Sequence, residues 1–410
     1  MAYCYIFNHY KNKMVRNRDI IIVGLQPWDN AIGSNCKNIA IEFAKHNRVL
    51  YVNHPLDRIT VLKSSSNPQY QKHLDILKNK KDNLLAVDKN IWTLYPKNIL
   101  ESANWIPSTL VFRKINKINN RRFANDIQKA IDRLNFKDYI LFNDSDMFRS
   151  FHLKEMLQPV QSIYYTRDNL MGVPYWHKHG KFLEPELFAK SDLVVANSTY
   201  LADLARPFNK HSYYIGQGCE TDEFDKDKIK QIPADIASIP SPVIGYIGAL
   251  FDLRLDVKML EALATGNSQW NFVFIGPEDE IFKSSSLHQL SNVYFLGLKE
   301  AKELPAYLFR FDVAINPQKI NEVTIGNYPR KIDEYLAMGK AVVATETAAM
   351  SFFKNYVYFA STAEEYRQQI EKALLENTSD KEMQRISFAR SHTWENSVAE
   401  IYKVMLLVKP

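Results

Sequence analysis

Short β-branched runs alternate along the chain with segments whose apolar positions recur every three or four residues. Behind Asp19, the run from Ile20 to Leu25 (IIIVGL) reads as a buried strand, and NCKNIAIEFAKHN, beyond the loop QPWDNAIGSN, reads as a helix. RVLYVNH, YILFN (139–143), QSIYYT (161–166) and DLVVANS (192–198) are further strands, and TYLADLARPFN is a periodic helical segment. Strands that are apolar at nearly every position belong to parallel sheets covered on both faces. From Thr221 to Pro242 the chain turns charge-rich and carries Pro233, Pro240 and Pro242, which predicts a linker. A second alternating set follows: PVIGYIG, NFVFIGP, VYFLG, DVAINP and AVVATE as strands, with VKMLEALAT, ELPAYLFRF and PRKIDEYLAMG as helices. The fold class is therefore α/β, with two tandem Rossmann-like domains. The predicted boundaries are an N-terminal extension at 1–18, a first domain at 19–220, a linker at 221–242, a second domain at 243–392 and a helix at 393–410.

Composition supports two cores. The 410 residues are 46% hydrophobic and 24% charged, which excludes a disordered or collagenous chain. No apolar stretch approaches the roughly eighteen residues of a membrane span. The start, MAYCYIFNHYKNKMVRNRD, lacks a continuous apolar segment and a small-residue cleavage site, and Cys4, Cys36 and Cys219 form neither a disulfide framework nor a zinc pattern. A reducing cytoplasm is the expected compartment. The first 235 residues carry 34 Lys+Arg and 25 Asp+Glu out of totals of 52 and 46, so the charge is concentrated in the first half. Arg113, Lys114, Lys117, Arg121 and Arg122 recur near helical spacing. A solvated helix face is the simpler reading, and an anionic membrane surface is the partner that such a face would take, peripherally. No nucleic-acid module accompanies these charges, so no nucleic-acid partner is expected.

Glycine is scarce, with 13 in the chain, and nine of them lie between Gly216 and Gly339. Gly245, Gly248, Gly276, Gly297 and Gly326 fall at or just after predicted strand ends of the second domain, where open α/β sheets bind ligands. The first strand ends in neither G-x-G-x-x-G nor a P-loop, which removes the main support for a dinucleotide oxidoreductase or a P-loop hydrolase. In NEVTIGNYPRKIDEYLAMGKAVVAT, Pro329 opens a helix and Gly339 stops it. Arg330 and Lys331 then sit at the positive end of a helix, an arrangement that calls for an anion such as a diphosphate. Glu334, three residues on, shares a face with Lys331 and suits ribose hydroxyls. Arg254, beyond the strand exit at Gly248, is placed for a bidentate phosphate contact or for a surface pair with Asp252. Asp144-Ser145-Asp146 has the D-x-D form of a metal-diphosphate grip, and its residues are equally good helix caps before MFRSFHLKEML.

The segment from Pro329 to Ala344 resembles the C-terminal-domain signature of GT-B glycosyltransferases, P-x-K-x-x-E-Y-L-A-x-G-K-x-V-V-A, matched at Pro329, Lys331, Glu334, Tyr335, Leu336, Ala337, Gly339, Lys340, Val342, Val343 and Ala344. DLVVANSTYLAD, GQGCETDEF, VIGYIGALFDLRLD and VYFLGLKEAKELPAYL resemble further family segments in the family's order, with 60–136 the least recognisable stretch. The likeness is to family 1/4-like enzymes of bacterial surface polysaccharides. It implies a site in the interdomain cleft, an acceptor side in the first domain and a last helix that crosses back to it. It further implies transfer from a UDP- or GDP-sugar to a glycan or lipid-linked acceptor, with no metal or other cofactor. The donor residues carry over onto Gly248, Arg254, Lys331 and Glu334; Gly297 falls in the base-holding segment, and Arg330 adds charge beside Lys331. Many relatives have two glutamates seven residues apart, and here the first position is Gly326, which leaves Glu322 as the nearest carboxylate. Asp168, after QSIYYT, matches an acidic position of the family and is the expected catalytic base, with an N-cap as its structural alternative. His177 and His179 are the other candidates for the base. A nucleotide-sugar epimerase of the same fold and a non-catalytic nucleotide-sugar-binding scaffold are the rival functions.

Overall fold

The structure, a computed structural model, describes residues 14–29, 34–63, 68–79 and 81–408. Most of the extension predicted at 1–18, Cys4 included, lies outside the described residues. Contacts divide the chain into two units, one running to Gly216 and resuming at Trp394, the other spanning Gln217–Thr393.

The first unit is built on an eight-stranded sheet in the order β3-β4-β2-β1-β5-β6-β7-β8. Its strands are β1 (Asp19–Val23), β2 (Arg48–Val52), β3 (Leu84–Asp88), β4 (Ile91–Leu94), β5 (Ile140–Asp144), β6 (Gln161–Thr166), β7 (Leu193–Ala196) and β8 (Ser212–Tyr214). All pair in parallel except β3 with β4. In β1 every residue is buried because the two faces serve two cores: Ile20 and Ile22 join one cluster, Ile21 and Val23 the other. The helix Asn35–Ala44 covers the first face, starting where the Ser34 hydroxyl accepts the Lys37 amide. Against it lies the helix Trp394–Leu407, whose Tyr402 ring stands 5.4 Å from that of Phe43 and whose Tyr402 hydroxyl accepts the Asn47 amide at 2.9 Å. The second face is covered by a 26-residue helix, Thr109–Leu134, which ends as Asn135 turns left-handed at φ +50°. The helix expected over MFRSFHLKEML is shorter, Leu153–Leu157, because the residues after Asp146 first form turns held by its carboxylate.

The second unit has a six-stranded, wholly parallel sheet in the order β11-β10-β9-β12-β13-β14. Its strands are β9 (Val243–Ile247), β10 (Asn271–Ile275), β11 (Val293–Gly297), β12 (Val313–Asn316), β13 (Ala341–Thr345) and β14 (Tyr358–Ala360). The segment 221–242, predicted as a linker, is instead part of this unit. Phe224, Ile236 and Ile239 are buried in its core, and Asp235 pairs with Lys299 at 2.7 Å. Its prolines stiffen a packed cover, since apolar residues spaced between the charges find a core to enter. Gly245, expected near a strand end, lies inside β9, where a Cβ would meet the Phe311 ring at 2.2 Å.

Candidate functional site

Strand β9 leaves the sheet at Gly248, whose φ of +144° lies in the region open to glycine. A Cβ there would stand 2.5 Å from Lys331 Nζ and 2.9 Å from Tyr246 Oη. Gly276, at the exit of β10, would place a Cβ 2.0 Å from the Gly248 carbonyl oxygen, so two strand exits cross in direct backbone contact. The Gly248 amide is spent on the Ile275 carbonyl at 2.8 Å; what this glycine supplies is room. Lys331 lies in the first turn of the helix Arg330–Ala337. Its ammonium donates to Tyr246 Oη at 2.5 Å and sits 4.1 Å from the centre of that ring. Tyr335, one turn further, pins the helix to the end of β9, its hydroxyl accepting the Ile247 amide at 2.9 Å. A cation is thus held rigidly at the mouth of β9 beside a helix N-terminus, the charge pattern that favours phosphate.

Burial raises the pKa of Glu334, and the charges of Arg330 and Lys331 oppose that rise. Its neighbour Asp333 is fully buried, with Oδ1 2.6 Å from His392 Nδ1 and Oδ2 accepting the Cys219 thiol at 3.1 Å. The Cys219 amide donates to the His392 carbonyl at 2.9 Å, so the segments by which the chain enters and leaves this unit meet at one carboxylate on the helix that carries Lys331. Burial and Asp333 push the Cys219 thiol well up, which keeps it protonated and unreactive.

Of the other donor candidates, Arg254 and Glu322 lie on loops and Gly297 at a strand end. Arg254 is exposed; its carbonyl accepts the Lys319 amide at 2.9 Å, and Asn321 Nδ2 donates to the Leu253 carbonyl at 2.8 Å. These bonds lay the Arg254 loop alongside the turn that carries the exposed Glu322. Asp252 pairs with Lys319, not with Arg254. Gly297 ends strand β11 at φ +70° with open space where a Cβ would stand. Gly248 and Lys331 therefore meet at one helix start, with Glu334 on the same helix, while Arg254 and Glu322 lie on two adjoining loops and Gly297 at the end of β11. Tyr246 and Asp333 had no signal beyond their positions, a tyrosine on a buried strand and an aspartate on the buried face of an amphipathic helix.

In the first unit Asp168 follows β6, and its Oδ2 receives Arg167 Nη1 at 2.9 Å. Arg167 Nε bonds the fully buried Asp144 at 2.8 Å, so one guanidinium ties both carboxylates. The D-x-D residues are otherwise engaged: Asp146 Oδ1 accepts the amides of Phe148 and Arg149 at 3.1 and 2.9 Å, and Oδ2 lies 3.2 Å from Arg149 Nε. This is a turn-capping and ion-pairing role. His179 is buried, stacked on Phe112 with ring centres 4.0 Å apart and bonded to the Ile106 carbonyl at 3.0 Å; burial lowers its pKa, the state of a structural neutral imidazole. His177 is exposed, its Nδ1 3.0 Å from the Met171 carbonyl.

Residues 241–376 match the family model described as Glycosyl transferases group 1. That stretch lies within the second unit. All seven donor-side candidates, from Gly248 to Glu334, fall inside the matched stretch, and Asp168 falls outside it. The chain is 28% identical over 251 residues to the putative teichuronic acid biosynthesis glycosyltransferase TuaH of Bacillus subtilis (strain 168). That match covers 58% of the chain and 62% of TuaH, under two thirds of the relative's length. Among solved structures, the sucrose-phosphate synthase of Thermosynechococcus elongatus superposes with a TM-score of 0.65 at 13% identity, over 94% of this chain and 97% of that one. Anabaena Alr3699/HepE, solved in complex with UDP-glucose, gives 0.60 at 14% identity, over 93% and 98%. These likenesses show the fold, which is GT-B: two Rossmann-like α/β domains in tandem.

Proposed function

We propose that the chain is a metal-independent glycosyltransferase that moves a sugar from a UDP- or GDP-sugar to a glycan or lipid-linked acceptor in surface polysaccharide assembly. The observation that carries this reading is the Lys331 ammonium lodged between Tyr246 Oη and a glycine that leaves no room for any side chain. Cleaving a glycosyl phosphate bond puts negative charge on the departing diphosphate, and a cation already fixed in place stabilises that charge without reorganising. Lys331 takes this role, with Arg330 beside it and Arg254 from the neighbouring loop. Replacing the neutral Tyr246 hydroxyl by an anionic phosphate oxygen turns an ion–dipole contact into one between opposite charges. Glu334 is assigned to the ribose hydroxyls, Gly297 to the approach of the base and Glu322 to the donor sugar. The HepE complex with UDP-glucose favours uridine. Asp168 is proposed as the base that takes the acceptor hydroxyl proton as the new bond forms, with Arg167 orienting it. The name of TuaH supports a surface polysaccharide as product.

No helix among the described residues is long and apolar enough to cross a membrane. We place the enzyme in the cytoplasm, in peripheral contact with anionic lipid. The helix Thr109–Leu134 exposes Leu110, Val111 and Ile118 together with Lys114, Lys117 and Arg121, while Arg113 and Arg122 are paired with Glu186 and Glu101. Cosedimentation with phosphatidylglycerol vesicles that salt abolishes checks this contact.

A thermal-shift screen of UDP, GDP and their sugars, followed by transfer assays with and without chelator, tests the whole reading. Turnover that needs an acceptor and survives chelation supports it. Sugar interconversion without acceptor would make the chain an epimerase, and binding without turnover a scaffold.

A further inference from the structure

A cavity of about 410 Å³ in the second unit is lined by the chain entering β14 and by the helices Ala363–Leu375 and Ser379–Arg390. Four cations line it, Lys354, Lys372, Lys381 and Arg385, and among the described residues no aspartate or glutamate does. Open α/β sheets take their ligands at the carboxyl ends of the strands. This cavity lies at the other edge. Gly248 leaves β9 at its carboxyl end, whereas residues 354–357 lead into β14 and Gly339 leads into β13, in a sheet that is wholly parallel. The same separation runs along the helix Arg330–Ala337: Lys331 starts it, and Arg385 Nε donates to the Gly339 carbonyl just past its end at 2.9 Å. Its eight residues rise about 12 Å, so Arg385 and Lys331 serve opposite ends of one helix.

Arg385 separates this cavity from a solvated basic patch. It is only 3% exposed, and no carboxylate pairs with it among the described residues. Nε goes to a backbone carbonyl and Nη2 to the side-chain oxygen of Asn377, both neutral acceptors, and Nη1 has no partner among the described residues. The nearby carboxylates are spent elsewhere: Glu382 on Lys226, and Glu376 on Lys381 at 2.7 Å and on the Tyr358 hydroxyl at 3.3 Å. Burial lowers the Arg385 pKa, with Tyr358 and Glu382 opposing, yet a guanidinium keeps its charge, and a buried charge without a counter-charge is costly. Lys354 and Lys372 form no ion pair among the described residues either. Three unpaired cations exceed what one carboxylate neutralises. A phosphate carries the charge and the several oxygens that a guanidinium fork and two ammonium groups can share. None of the exposed large apolar side chains lines the cavity, and Tyr356 is covered by Phe388 with ring centres 3.8 Å apart, which favours a soluble anion over a lipid.

We propose that this cavity binds a soluble phosphate-bearing anion, a phosphomonoester or a diphosphate, held by Arg385, Lys354 and Lys372. The site is separate from the donor residues and stands independently of the transferase reading.

The test titrates sodium pyrophosphate calorimetrically into the full-length chain carrying Lys331→Ala, which weakens the donor side. The same titration follows with Lys354→Ala and Lys372→Ala added, and with Lys114→Ala and Lys117→Ala added instead. All four of these lysines are exposed, so each pair removes equal charge from an intact fold, which circular dichroism checks. The Lys331→Ala chain binds one pyrophosphate. Loss of Lys354 and Lys372 weakens that binding at least about tenfold, as removal of charge-assisted contacts does, and loss of Lys114 and Lys117 changes it by less than about twofold. No binding by the Lys331→Ala chain overturns the proposal, since any wild-type signal then belongs to the donor side. Undiminished binding without Lys354 and Lys372 overturns it too, and so does equal weakening by both pairs, which marks diffuse attraction to net charge. Displacement of pyrophosphate by phosphatidylglycerol vesicles would reassign the cavity to a lipid headgroup and overturn the soluble ligand.

Discussion

Glu184 provides a test of the first unit whose size follows from its surroundings. It lies on the helix Pro174–Lys190, is only 5% exposed, and accepts the Tyr164 hydroxyl at 2.9 Å. Burial pushes its carboxyl up from 4.5 to about 7, against the opposing pull of that hydrogen bond. Between these values the folded chain keeps a proton that the unfolded chain has lost, so stability falls as pH rises from 4.5 towards 7 and levels off above. The full penalty is about 3 kcal/mol, of which roughly 2.5 kcal/mol develops between pH 5 and 8.5. Glu184→Gln keeps an oxygen for the Tyr164 hydroxyl and removes the titration. Its amide nitrogen adds a constant cost that cancels when pH values are compared. Urea denaturation followed through the transition of the first unit, at steps across this range, should give a wild-type curve that declines by that amount relative to the variant. Parallel curves, within about 0.5 kcal/mol, would show that the carboxyl ionises normally and that burial does not govern it.

The remaining predictions concern transfer. Lys331→Ala removes a charge-assisted contact worth about 1.5–3 kcal/mol, so calorimetry should find nucleotide-sugar affinity lowered roughly ten- to hundredfold with circular dichroism unchanged. Gly248→Ala puts a methyl group 2.5 Å from Lys331 Nζ at a backbone angle unsuited to it; donor binding should be lost, and the melting temperature should fall by a few degrees, for a cost of about 1–2 kcal/mol. Asp168→Asn should retain donor affinity within about twofold and lower the transfer rate by about 10²- to 10⁴-fold, measured with saturating donor. Unimpaired transfer would remove Asp168 from the chemistry.

Much of the architecture was legible locally. A parallel strand covered on both faces is apolar at consecutive positions, which is why DIIIV, QSIYYT and AVVAT stand out in a linear reading and are buried along their whole length. The helix start at Arg330 is marked by Pro329 and its end by Gly339, at φ +74°. The long helix Thr109–Leu134 was not legible as a unit, because its buried face includes Asn116, Asn119 and Asn120. These bond the carbonyls of Phe148, Glu101 and Asn116, so a polar side chain occupies the inner position where a periodic reading looks for an apolar one. The segment 221–242 was misread for a related reason: charge and proline content are the same in a free linker and in a packed cover, and only the core beneath Phe224 and Ile236 distinguishes them.

By itself, then, the order of residues determined the two parallel-sheet units, the helix that presents Lys331 and the chemical type of the groups available to a donor. Tertiary structure alone decided that Lys331 rests on Tyr246, 85 positions away, and that Asp333 joins Cys219 to His392. It also decided that the D-x-D carboxylates are consumed by Arg167 and by a turn. The reason is one of range. Burial periodicity and helix signals act over a few neighbouring residues, whereas a side-chain pair depends on which strand lies beside which, and the order β10-β9-β12 is set by packing the whole sheet.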